Sequence, residues 1–101
     1  MLKKNMKDFE IVVNAVAEAL DLLPCEILNK RRFPEAVDAR RMVVRLLAER
    51  GFYVHQIASW MGMTPRNVNA ILTAVNERLD CDANFGRNMD AARKKVRNYS
   101  I

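Results

Sequence analysis

The sequence predicts an all-α domain, a bundle of about six helices. Three observations carry this. Glycine and proline number three each among 101 residues, so long runs proceed without a breaker. Apolar residues recur at intervals of three and four through most of the chain, which lines one face of a helix. No stretch reads as a strand. Hydrophobic residues make up 50%, which excludes a disordered tail. Residues 1–101 form one domain, long enough to bury roughly two-thirds of its unfolded surface without metal or disulfide staples.

The first helix spans residues 7–21, with Phe9, Val12, Val13, Val16, Ala17 and Leu20 on one face. Leu23-Pro24 breaks it. Pro24 opens a short second helix reaching Asn29, at a position where its missing N–H costs nothing. Cys25 sits among apolar residues there and is expected to be a buried thiol. Lys30-Arg31-Arg32-Phe33-Pro34 sets three cations before a proline and reads as a loop. A third helix starts near Glu35, acidic at the positive end of the helix dipole, and runs to Arg50. Ala36, Ala39, Val43, Leu46 and Leu47 point inward. Asp38, Arg41, Arg45 and Glu49 share another face. Gly51 ends this helix in the position where a left-handed cap is usual. A fourth helix, Val54 to Met61, is closed by Gly62. Thr64 is the N-cap and Pro65 the first residue of a fifth, which continues through Leu79. Asp80-Cys81-Asp82 forms a break. The last helix lies within residues 82–98, with Phe85, Met89, Ala92 and Val96 inward.

Residues 54–79 meet the demands of a helix-turn-helix. The turn needs a residue that tolerates positive φ, and Gly62 supplies it. Ala58 is the small residue where the second helix crosses the first. Ile57, Met61 and Met63 bracket the turn, and Val68 and Ile71 anchor the second helix. On the outside, Arg66, Asn69, Ala70 and Thr73 follow the spacing i, i+3, i+4, i+7, opposite Val68, Leu72 and Val75. Asn67 borders this stripe. Arg can bond guanine bidentately, Asn can bond adenine, and an Ala or Thr methyl can touch the thymine methyl. The same pattern also serves a helix pair that only packs in a bundle or docks a protein.

The net charge of +5 and the pI of about 9.6 call for an acidic partner, nucleic acid before an anionic membrane. The early apolar run IVVNAVAEAL holds Asn14 and Glu18, with an acidic pair before it, so it does not read as a signal peptide, and it is too short to span a bilayer. From Gly51 to Asn76 only Arg66 carries a formal charge. Phosphate contacts supply most non-specific DNA affinity, so they must come from the flanks. Lys30, Arg31, Arg32, Arg40, Arg41 and Arg45 lie upstream. Arg87, Arg93, Lys94, Lys95 and Arg97 lie downstream. The upstream cluster is favoured, because a loop can reach a minor groove where Arg is preferred. The downstream run reads as a solvated helix face.

Several motifs together resemble a known family. Val16-Ala17-Glu18, Leu28-Asn29-Lys30-Arg31-Arg32 and Ala39-Arg40-Arg41-Met42, followed by the helix-turn-helix, are similar in order and spacing to the C-terminal DNA-binding domain of the bacterial replication initiator DnaA, domain IV. The likeness covers roughly Phe9 to Val96. It implies a Trp-repressor-like helical fold, sequence-specific binding of double-stranded DNA, and a role in replication or its regulation. It implies that the basic loop enters the minor groove, with Arg32 as the reader. It further implies that Arg40, with Arg41 beside it, lies near the phosphates. Thr64-Pro65-Arg66-Asn67 stands before Val68 where the family has Asp-His-Thr-Thr, and the turn after Gly62 is one residue shorter. Phe33-Pro34-Glu35 and Asp38 replace more polar or basic residues. The site residues expected are thus Lys30, Arg31, Arg32, Arg40, Arg41, Thr64, Arg66, Asn67, Asn69 and Thr73.

Other chemistry finds little support. The chain has no GxxxxGK[ST] motif, so no nucleotide is expected. Two cysteines and one histidine fall short of a four-ligand zinc site, so neither metal nor cofactor is expected. His55 has no partner for catalysis in sequence reach, Asp80 and Asp82 are expected to cap a helix boundary, and the chain does not read as an enzyme. Phe52, Tyr53 and Trp60 are expected in the core or at its rim, and Met42, Met61 and Met63 as core filler. A cytoplasmic location is expected. The rival reading is a protein-interaction or transcription-regulatory module that docks a replication or regulatory protein. The Lys30-Arg31-Arg32 cluster, which protein docking does not require, separates the two.

Overall fold

Among the described residues of the computed structural model, six helices follow one another: α1 (Leu2–Leu20), α2 (Pro24–Leu28), α3 (Pro34–Glu49), α4 (Val54–Met61), α5 (Pro65–Cys81) and α6 (Ala83–Tyr99). The structure describes residues 2–28 and 34–99, with side chains over 7–28 and 34–98. No strand occurs among the described residues. Helix α1 begins five residues earlier than its apolar spacing predicts. Leu, Lys and Met are good helix formers, and nothing in Leu2–Lys7 breaks a helix.

Helix α3 is the centre of the bundle and packs on α1, α2, α4 and α5, while α6 lies along α1. Because α3 is covered from several sides, Met42 and Val44 join Ala36, Ala39, Val43, Leu46 and Leu47 in the core. Phe9, Val12, Val13, Val16 and Ala17 of α1 and Phe85, Met89, Ala92 and Val96 of α6 are buried as their spacing predicts. Trp60 stacks on Phe9 at 5.6 Å and meets Phe52 edge-on at 5.1 Å, which joins α4 to α1. Tyr53 departs from expectation. It stands 77% exposed, outside this ring cluster. Cys25 also departs: it is exposed, not buried. Helix α2 has five residues and turns Ile27 to the core, and Cys25 lies about 200° away on the opposite side.

Among the described residues, three helix ends use left-handed residues. Gly51 (φ 93°) closes α3, where Phe52 N–H reaches the Leu47 carbonyl at 3.3 Å. Gly62 (φ 66°) closes α4. At the end of α1 the same position is filled by Asp21, at φ 57°. There Leu22 N–H bonds the Ala17 carbonyl at 2.8 Å and Asp21 N–H the Glu18 carbonyl at 3.4 Å, the pattern of a Schellman cap. A Cβ is strained in this conformation, and a carboxylate opposes the negative end of the helix dipole. The Asp21→Gly variant is therefore expected to gain about 1 kcal/mol, a rise in Tm of roughly 4–8 °C. A melting midpoint equal to or below that of the parent would contradict this account of the cap.

Arg78 fixes the far side. Its guanidinium bonds both carboxylate oxygens of Asp38 on α3 at 3.0 Å and the Asp82 carboxylate at 2.9 Å, and it lies 4.6 Å over the Phe85 ring of α6. The Asp38 hydrogen bonds, then those of Asp82, hold its pKa above the ordinary arginine value. Asp82 is the single extended residue between α5 and α6, so the break expected over residues 80–82 narrows to one position. Its Oδ1 accepts from Phe85 N–H at 3.0 Å, which caps α6. That bond, more than Arg78, keeps its carboxyl below the usual range.

Candidate nucleic-acid interface

Helix α4 starts where Tyr53 N–H donates to Gln56 Oε1 at 3.0 Å. It stops at Gly62, whose φ of 66° and ψ of 38° let Met63 N–H turn back to the Ala58 carbonyl at 3.0 Å. Three residues, Gly62, Met63 and Thr64, join α4 to α5. Thr64 Oγ1 accepts from Asn67 N–H at 3.1 Å, and Pro65 is the first helical residue. Ile57, Ala58, Met61 and Val68 are buried around this turn, with Met63 and Ile71 half-buried at its edge. The turn is locked by the residues that the sequence nominates.

The outward face of α5 carries Arg66, Asn67, Asn69, Ala70 and Thr73, all exposed, while Val68 and Val75 are buried and Leu72 is half-buried. Thr73 Oγ1 donates to the Asn69 carbonyl at 3.2 Å, which engages its hydroxyl with the backbone. Exposed Glu77 continues the stripe one turn beyond Thr73. Its negative charge repels phosphate, so the surface suited to a polyanion ends near Thr73.

The cations around this face are not equivalent. Arg66 on α5 and Arg41 on α3 have no hydrogen-bond or ion-pair partner among the described residues. Arg41 lines a hollow of about 350 Å³ together with Met63, Asn67, Ala70, Ile71 and Ala74. It therefore borders the exposed α5 stripe directly, a juxtaposition that sequence alone does not give. Arg40 behaves differently. Its Nη1 donates to the Ile27 carbonyl at 3.1 Å. Lys30, Arg31 and Arg32 lie outside the described residues.

Arg45, read from the sequence as one of the upstream cations available to phosphate, is committed elsewhere. It bonds Glu49 at 3.0 Å and also Asn76 of α5. Glu49 in turn takes two bonds from Arg93 of α6, each at 2.9 Å. The Arg93 hydrogen bonds hold the Glu49 carboxyl below the usual carboxylate range. In the downstream run Arg93 also meets Asp90, Lys95 pairs with Glu18 at 3.0 Å, and Arg87 bonds Asn84. Lys94 and Arg97 are exposed. His55 is exposed on α4, and no group of three or more metal-ligating side chains gathers among the described residues. No described helix is long and apolar enough to cross a membrane.

No family model matches the chain, and no solved structure matches it. A curated protein does: over 98 residues, 95% of this chain, it is 29% identical to the chromosomal replication initiator protein DnaA of Aliarcobacter butzleri (strain RM4018). The chain spans 22% of the length of that relative. The resemblance carried by its own motifs is thus met by a known protein, and the chain is a distant homologue of part of a DnaA protein.

Proposed function

We propose that this protein binds double-stranded DNA in a sequence-specific manner, through α4 and α5 and the basic segment ahead of α3, in chromosome replication or its regulation. The observation that carries the reading is the exposed stripe of α5, with the guanidinium of Arg66 on it and that of Arg41 beside it, both without a partner among the described residues. Most other described arginines are already neutralised by carboxylates. In this reading Arg66, Asn67, Asn69 and Ala70 face base edges in the major groove, and Thr73 offers its methyl to thymine. Thr64 shapes the turn and sits at the DNA surface. Arg41 and the cations Lys30, Arg31 and Arg32 meet the backbone, with Arg32 in the minor groove. The likeness to a protein named as a replication initiator supports the process. The chain acts by binding and not by catalysis, needs no nucleotide, and works in the cytoplasm.

Selection of bound duplexes from a random DNA pool tests the reading and returns the site. Titrations of the selected duplex against salt then measure the backbone share. Neutralisation of about five phosphates gives a slope of log K against log[salt] of roughly −4.5. No enrichment in the pool, or a slope near zero, would sink the proposal and favour a protein-docking role.

A further inference from the structure

Arg41 and Arg45 stand one turn apart on α3, and they meet different flanks of α5. Arg41 borders the hollow lined by Asn67, Ala70, Ile71 and Ala74. Arg45 instead donates through Nη1 to Asn76 Oδ1, and through Nε to Glu49 at 3.0 Å. Seven residues make two helical turns less about 20°, so Asn76 stands almost directly above Asn69 on α5. Ala70 and Ala74 lie about 100° and 140° round the helix from Asn69. Val68 and Val75, both buried, divide the two flanks. Arg45 is itself held in place. Its partner Glu49 takes two further bonds from Arg93 of α6, each at 2.9 Å. The chain Arg93, Glu49, Arg45, Asn76 thus runs from α6 across the end of α3 to the Asn69 flank of α5. A planar guanidinium with several fixed donors suits this place, because it serves a carboxylate and an amide at once.

On the basis of the duplex-binding reading, we infer that Arg45 is a positioning residue: it fixes the Asn69 flank of α5, and through it the base edge that Asn69 reads, without touching DNA itself. Arg66 sits further along α5 toward its capped end, beside Thr64, and its aim does not depend on this link. Loss of Arg45 therefore blurs one part of the recognised site and spares another. That selectivity distinguishes a positioning role from a general loss of stability, which would weaken every contact alike.

Single base-pair changes across the selected duplex provide the test. Each is titrated with the parent, Asn69→Ala, Arg66→Ala, Arg45→Met and Asn76→Ala. Asn69→Ala identifies the base pair whose discrimination rests on Asn69, and Arg66→Ala the pair that rests on Arg66. Arg45→Met keeps an aliphatic stem and removes the donors. It should reduce discrimination at the Asn69 pair about five- to tenfold and leave the Arg66 pair within about twofold of the parent. Asn76→Ala leaves Arg45 on Glu49 and should reproduce that pattern. The two changes together should cost no more than either alone, since both remove one link. The salt slope should stay at the parent value, and Arg45→Lys should not restore the discrimination, because an ammonium lacks the planar fork. A slope smaller by about 0.9, with Arg45→Lys restoring affinity, would place Arg45 on phosphate and overturn the inference. So would equal losses at both base pairs, or none at either. NMR of the free protein separates this from the wider reading. The side-chain amide signals of Asn76 should shift in Arg45→Met and stay in place in Arg66→Ala. Unshifted Asn76 signals overturn the positioning role by themselves. Shifted signals with no duplex enriched from the pool overturn the duplex-binding reading, and the recognition role of Arg45 with it.

Discussion

Gly62→Val is expected to lower thermal stability and duplex affinity together. Gly62 sits at φ 66° and ψ 38°, where an L side chain costs about 1–2 kcal/mol. A β-branched residue tolerates this region worst. The expected fall in Tm is roughly 5–15 °C for a domain of this size. Because the turn sets how α5 leaves α4, the change also displaces Arg66 and Asn67 from the geometry that binding needs. Substitutions should rank Asn, Ala, Val in increasing damage, since Asn visits the left-handed region most readily. Melting curves with matched titrations decide it. A Val variant that melts and binds like the parent would remove the turn from both roles.

Arg66→Ala should do the opposite: leave the fold nearly intact and damage recognition. The side chain is exposed and unpartnered among the described residues, so little of the stability rests on it. On the preferred site its loss should cost about 1–3 kcal/mol, and on random duplex little. Arg32→Ala supplies the contrast. A residue that senses groove width should lose affinity across most sequences. Equal losses on selected and random duplex for both variants would contradict the assignment of Arg66 to base edges.

How much of this was legible in the sequence depends on the range of the interaction. Val54–Met61 is bounded by local chemistry, a glycine after it and a Thr-Pro pair beyond, and the structure gives those bounds unchanged. The inward faces of α1 and α6 follow from periodicity over four turns or more. Periodicity fails on α2, where five residues cannot define a face, and Cys25 was misplaced for that reason. Long-range pairing leaves no local mark. Glu49 and Arg93 stand 44 residues apart, and nothing near either announces that Arg45 and Arg93 share one carboxylate. The separation of Arg40 from Arg41 is equally silent, because it arises from what α2 and α5 bring to either side of α3. In the candidate site, the stripe on α5 and Arg41 were named from the sequence, and the commitment of Arg45 to Glu49 and Asn76 was not.

The clamp of Arg78 on Asp38 and Asp82 bears on how quickly the proposed duplex binding can proceed. With the far half of α5 tied to α3 and α6, and its near end capped by Thr64, the helix has lost its conformational freedom before any ligand arrives. For the duplex-binding role, that ordering cost no longer falls on the encounter. Association then runs at the pace that electrostatic steering sets, and differences among target sequences appear in residence time.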